Sequence, residues 1–495
     1  MKKLISVLLA GIMLLGTLSA CAGTPAESSD TTAASDSGAV ETTTAETEPE
    51  DTKIPSGLPE KMDLNGYTVT FYGKKDAGIY TEEENGDKLN DAVYARNAAL
   101  KEQYNFNILQ ICPTNQSSPT KDIIQNVQAG DDSYQVFVDG PGSALVLYVS
   151  GNLLYDMNTL KYQDFSQPWW FEELNKSLSI AGKLHMTASS FNFTARQSLY
   201  HPMVNIDLMR DNGMNIADYY QMVRDGKWTL DEFIKMIKTG ASDLNGDGVR
   251  DHKDRFGHIG EDFAGYVLAV GGGYMIASKD KDDIPYITAV GEEGVNLWEK
   301  LVNNIFSDTT NYLCIRNIKG VASIWTEQRT MMRNNQVMVQ ITVLDNNWRD
   351  YEINYGILPV PKATEEQENY IHTGSTYNIP VMAVPITVKN PDDVSFVLEA
   401  MAYTSYYDVL PTFYEGYLES KLARDKDSVE MLQIIHNTIV MDIGAVYGWG
   451  GYLNEIYKIV NRGTNTFASF DAANRAAATK SIEDLVKVVK SGNKG

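Results

Sequence analysis

The sequence predicts an α/β fold, a largely parallel sheet with helices on its faces. Two observations predict it. Segments that alternate apolar and polar residues, such as Tyr67, Val69 and Phe71 with Thr68 and Thr70 between them, are followed by segments with a helical apolar period, such as Leu89, Val93, Leu100 and Tyr104. The composition, 43% hydrophobic and 10% aromatic over 495 residues, also supplies apolar surface for two sizeable lobes or domains. In open sheets of this kind ligands bind beyond the carboxyl ends of the strands. Those ends are Gly73-Lys74 and Asp139-Gly140.

The chain starts with Lys2 and Lys3, then an apolar run from Leu4 to Leu15 broken by Ser6 and Gly11, then Leu18-Ser19-Ala20-Cys21. A positive start, a short apolar core and small residues describe a secretory leader over residues 1–20. The run is shorter than the roughly 20 residues needed to span a bilayer. Its ending resembles the bacterial lipoprotein signal, which implies cleavage before Cys21 and lipid on that Cys. The expected location is the outer face of the bacterial cell membrane. From 21 to 57 the chain is Thr, Ser, Ala, Glu and Asp with almost no large apolar residue, a solvated acidic tether.

Formal net charge is −23, and removing Lys2 and Lys3 with the leader makes it −25. Such a surface does not track phosphates, so nucleic acid is excluded as a partner. Charge alone does not hold the protein to an anionic membrane either, so the lipid must anchor it. After Cys21 only Cys112 and Cys314 remain, which rules out a disulfide framework; two separate buried thiols are expected, with one disulfide between them as the alternative.

Further strands are expected from Phe106 and over Tyr134–Val138, with a short helix over Lys121–Ala129 ended by Gly130. Thr229 is a helix N-cap with Glu232 as its capping-box partner and Trp228 as a hydrophobic staple. Gly271-Gly272-Gly273 is a turn, because no phosphate-binding context surrounds it. Val337–Leu344 and Tyr355–Pro361 read as strands. Val394–Tyr403, Val429–Val440, Leu453–Val460 and Ser481–Val489 read as helices.

The most chemically specific stretch is Asp243 to Asp254. Calcium takes six to eight oxygens, which a 12-residue loop supplies from fixed positions. Here they are Asp243, Asn245, Asp247, the Val249 carbonyl, Asp251 and Asp254, with Gly248 at the sharp turn. The last position carries Asp where the EF-hand pattern has Glu, one methylene shorter. The expectation is a structural Ca²⁺ clamp, with an ion-free acidic loop as the alternative. Catalytic motifs of the HExxH and GxSxG kinds are absent from the sequence.

The lipoprotein-type signal, Gly226-Lys-Trp-Thr-Leu-Asp-Glu-Phe233 leading into the Asp-rich loop, Asn354–Lys362, Val397–Tyr403 and Arg424–Leu432 together resemble the family-1 extracellular solute-binding proteins of bacterial ABC importers, mostly sugar binders. The resemblance covers the chain after about Ile54. It implies a periplasmic-binding-protein-like type II fold, two α/β lobes joined by a hinge of several crossings. Lobe 1 would take 58–192 and 352–403, and lobe 2 would take 193–351 and 404–495. It implies a monomer that captures an oligosaccharide between the lobes, delivers it to the importer's permease subunits and catalyses no reaction. Aromatic rings stack on sugar faces and carboxylates take the hydroxyls. The matching positions are Asp139, Tyr266, Trp348 and Trp449, with Trp169 and Trp170 behind them. The alternatives are a secreted polysaccharide-active enzyme, whose paired carboxylates leave no sequence spacing, and a peptide or other solute binder of the same fold.

Overall fold

The computed structural model of the chain describes residues 53–113, 119–142, 151–420 and 422–491. The leader, Cys21 and the tether up to residue 52 lie outside them. The chain joins the folded body before the expected end of the tether at 57. The Ile54 amide donates to the Tyr407 hydroxyl at 2.9 Å, and Leu58 and Met62 pack on the core. Among the described residues no helix is long and apolar enough to cross a membrane.

The strands, in chain order, are β1 (Tyr67–Gly73), β2 (Phe106–Ile111), β3 (Val136–Asp139), β4 (His201–Asn205), β5 (Phe256–Gly260), β6 (Ala277–Lys279), β7 (Pro285–Ile287), β8 (Tyr312–Cys314), β9 (Val337–Thr342), β10 (Tyr355–Ile357) and β11 (Val381–Ala383). The first sheet has the order β11-β3-β1-β2 and the second β10-β4-β9-β5-β8, while β6 and β7 pair as a separate hairpin. Both large sheets are mixed rather than largely parallel. Parallel ladders join β1 to β2 and β3, and β5 to β8 and β9. The antiparallel strands β4, β10 and β11 flank the two passages of the chain from one sheet to the other.

β1 departs from the half-buried strand that its alternation suggested. It lies between β3 and β2, and every residue from Val69 to Gly73 is buried. Thr70 tolerates this because its amide donates to the Gln135 side chain at 2.9 Å. A strand with neighbours on both edges and helices on both faces buries both sets of side chains.

The passages between sheets fall at different places from those expected. β10 is registered Tyr355↔Asn205 to Ile357↔Met203 in the second sheet, so the return to the first sheet lies between Ile357 and Val381 rather than before 352. The helical stretch from Ser405 to Glu419 packs on the helix Lys88–Tyr104 beside the first sheet, although 404–495 was assigned to the second lobe. The next helix, Lys426–Asn437, packs on β10.

Trp228 is fully buried, with its indole N–H on the Pro359 carbonyl at 2.8 Å. Thr229 does precede the helix Leu230–Ile237, but its side chain makes no capping bond. The chain partner is elsewhere: the Leu230 amide donates to the Lys362 carbonyl at 2.8 Å. A backbone carbonyl from a distant segment therefore satisfies one of the open amides at the start of this helix.

Candidate functional site

The carboxyl end of the first sheet is built by two short turns. At Gly73 φ is +128°, and a Cβ there would lie 2.2 Å from the Val138 carbonyl oxygen, so only glycine fits against β3. That approach puts the Lys74 amide on the Val138 carbonyl at 2.7 Å. The Lys74 ammonium lies 3.4 Å from Asp139 Oδ1 and also donates to the Tyr377 carbonyl. Asp139 is buried at the end of β3 and accepts from the Gly140 amide at 2.7 Å. Burial raises its pKa, and Lys74 pulls the other way. The Gly142 amide donates to the Thr376 carbonyl at 2.9 Å, so the segment before β11 lies across this end of the sheet.

A cavity of about 360 Å³ opens here. Lys74, Lys75 and Cys112 line it from the ends of β1 and β2, Val343 from the end of β9, and Ser198 and Asn378 from the passages between the sheets. It therefore lies where the carboxyl ends of the two sheets meet. Cys112 and Cys314 are both free, as expected, but Cys112 is exposed rather than buried.

The carboxyl end of the second sheet contributes a polar network. Glu261 and Asp262 follow β5, Arg316 follows β8 and Tyr200 precedes β4. The Tyr200 hydroxyl donates to Glu261 Oε1 at 2.6 Å, and Arg316 lies 3.4 Å from Glu261 and 3.3 Å from Asp262. The helices Asp262–Gly271 and Tyr452–Arg462 pack together, which brings the Asn461 amide onto Asp262 at 3.1 Å. Burial raises the Glu261 pKa against the pull of Tyr200 and Arg316. The Arg316 guanidinium sits 5.4 Å above the Trp325 ring, a cation–π contact. Trp325 is 41% exposed and Tyr377 is 56% exposed. Tyr377 stands at the end of the first sheet, where its carbonyl accepts from the Lys74 ammonium.

Of the six residues singled out in the sequence for solute binding, Asp139 stands at this cleft. The other five are buried elsewhere. Trp169 and Trp170 donate their indole N–H groups to the two oxygens of Glu399, at 2.6 and 2.9 Å. The Tyr266 hydroxyl donates to Asp442 Oδ2 at 3.1 Å inside the second half of the chain. Trp348 packs on Tyr351 and Tyr355, and Trp449 stacks on Tyr447 at 5.0 Å. Sequence reasoning placed Lys74 at a ligand-binding strand end but passed over Trp325, Tyr377 and the Tyr200–Glu261–Arg316 network. Tyr377 carried a signal, an aromatic inside the loop-type run Thr373-Gly-Ser-Thr-Tyr-Asn378.

The loop 243–254 is folded around its own amides. Asp243 accepts from Gly246 at 2.7 Å and Gly248 at 3.0 Å, and both glycines have positive φ. Asn245 and Asp247 accept from the amides two residues on. Asp254 is fully buried, and its two oxygens take the amides of Leu244 and Asp251. The donors are all oxygen, the chemistry calcium takes. Among the described residues no three His, Cys, Asp or Glu side chains gather where a metal ion could sit, and in this loop the oxygens of Asp243, Asn245 and Asp247 take backbone amides.

Solved structures align over nearly the whole folded body. A cyclo/maltodextrin-binding protein complexed with maltotetraose aligns with a TM-score of 0.54 at 13% identity, covering 87% of this chain and 98% of that one. The chain has the solute-binding-protein fold. UspC of M. tuberculosis aligns with a TM-score of 0.54 at 13% identity, covering 84% of this chain and 100% of its own. The sugar-binding protein MalE from Xanthomonas citri gives 0.51 at 13% identity, covering 85% and 98%. No protein-family model and no curated protein matches the sequence.

Proposed function

We propose that this protein captures an oligosaccharide in the cleft between the carboxyl ends of its two sheets and hands it to an ABC importer, without turning it over. One observation carries the reading: an exposed aromatic ring stands at the carboxyl end of each sheet, Tyr377 joined through Lys74 to Asp139 and Trp325 joined through Arg316 to Glu261 and Asp262, and a cavity of about 360 Å³ lined by Lys74, Ser198, Val343 and Asn378 opens where the two ends meet. Sugars have weakly polar CH faces and rows of hydroxyls. An aromatic ring covers the first, and a carboxylate accepts from the second. The sugar-binding neighbours of the same fold support the solute class. The leader and Cys21 support a lipid tether on the outer membrane face, with the acidic segment as spacer. For the loop 243–254 we carry Ca²⁺ as a structural ion, on its donor chemistry. Thermal unfolding across oligosaccharide and peptide libraries tests the solute. The expected result is an upward shift with an oligosaccharide and intact glycan after prolonged incubation. Shifts confined to peptides, or cleavage of the glycan, contradict the reading.

A further inference from the structure

A larger cavity, about 500 Å³, runs along the outer edge of the second sheet, where β8 is the last strand. It shares no lining residue with the cleft cavity, although Asn461 on its wall donates to Asp262 of the cleft network at 3.1 Å. Its charged lining comes from three separate segments: Arg250 and Asp251 in the Asp-rich loop, Lys319 after β8, and Arg462 at the end of the helix Tyr452–Arg462. Three cations thus face one space in a chain of net charge −23.

The single acid in that set is already occupied. Asp251 accepts from the Lys253 amide at 2.9 Å and lies 3.6 Å from the Lys253 ammonium. Among the described residues neither Lys319 nor Arg462 has a carboxylate within ion-pair distance. Arg250 is pinned rather than mobile: its Nη2 donates to the carbonyls of Arg255 and Thr310 at 2.6 and 2.7 Å, and its guanidinium lies 4.7 Å above the Phe256 ring. Its Nε and Nη1 are buried without a hydrogen-bond partner, and the nearest carboxylate, Asp254, is 3.9 Å away. A fixed guanidinium on the wall of a cavity that two further cations also line is an arrangement that attracts an oxyanion.

The volume falls in the range of about 300–1,000 Å³ that holds whole organic ligands rather than a bare ion. Phe306, Leu313, Ile318 and Val460 supply an apolar wall for the body of such a molecule. We propose that this cavity is a second binding site, for a small organic anion whose carboxylate or phosphate meets Arg250, Lys319 and Arg462. The site is independent of the solute in the cleft.

Calorimetric titration of the mature chain with glucuronate, glucose 6-phosphate and glucose tests it. One or both of the acidic probes should bind one to one, which also separates carboxylate from phosphate, and glucose should give no heat at this site. Lys319→Gln with Arg462→Gln should weaken the anion by at least about tenfold with the melting curve unchanged. Lys319→Gln alone serves as a milder second variant and should weaken it too. Trp325→Ala, in the cleft, should leave anion binding intact. Absence of heat with both acids overturns the proposal. So does equal binding in the Lys319 and Arg462 variants, or loss of binding in Trp325→Ala.

Discussion

Glu399 shows how much a single buried carboxylate decides. It accepts the indole N–H groups of both Trp169 and Trp170, and burial still raises its pKa to about 7. Its partners lie 230 and 229 residues away in sequence. No local spacing marks that pairing, so two adjacent tryptophans that read as a sugar platform are part of the core. Glu399→Ala leaves two buried donors unsatisfied, at about 1–3 kcal/mol each. The expected loss in denaturant unfolding at pH 6 is about 2–4 kcal/mol. Because the folded pKa lies above the unfolded one, the wild-type group contributes most at low pH, and its contribution fades as pH rises through 7. The loss caused by Glu399→Ala should therefore be smaller at pH 8 than at pH 6. A loss that grows with pH contradicts the assignment. His372 works in the opposite sense. Its Nε2 accepts from the Val360 amide at 2.9 Å, and burial, with His201 nearby, lowers its pKa to about 3. A depressed pKa means that stability is present above the unfolded value of about 6.5 and is lost as pH falls from there toward 3. One such proton changes stability by about 1.4 kcal/mol per pH unit. His372→Gln should flatten the fall between pH 6.5 and 4.5 by that amount, as read from unfolding midpoints. An unchanged slope would show that His372 does not titrate as described.

Elements with their own local signal were legible. The helix Lys88–Tyr104, the strand pair β1 and β2, the helix Pro391–Thr404 and the helix Tyr452–Arg462 all lie where periodicity placed them. What failed was everything set by a distant partner. The helix after Thr229 is capped by the Lys362 carbonyl, and β10 pairs with β4 across about 150 residues of chain. The same distinction applies to the cleft: its strand ends could be read, but the aromatics that face it could not, because exposure depends on what packs above a ring. The loop 243–254 is an element with a strong local signal and a prediction of its own. If an ion adds to the oxygens of Asp243, Asn245 and Asp247, chelator should lower the melting temperature, and Asp243→Ala should remove that sensitivity. At free Ca²⁺ of 100 times the dissociation constant the ion is worth about 2.7 kcal/mol. Identical melting curves with and without chelator would show that the loop's amides hold it unaided.

At the scale of the molecule, two mixed sheets meet at their carboxyl ends, and the chain passes between them repeatedly. Those passages carry Ser198 and Asn378 to the wall of the cavity between the sheet ends. The chain as a whole carries a net charge of −23, while the cleft network sets Lys74 and Arg316 against Asp139, Glu261 and Asp262. A near-neutral cleft lined by hydrogen-bonding groups suits a neutral, hydroxyl-rich solute. The most direct check is calorimetric titration of the oligosaccharide that gives the largest thermal shift, into the wild type and into Trp325→Ala. Loss of ring contact should cost about 1–3 kcal/mol of affinity, with one ligand bound per chain and the unliganded melting temperature unchanged. Equal affinity in the two proteins would contradict the account, because the solute would then be held somewhere other than the cleft between the sheets.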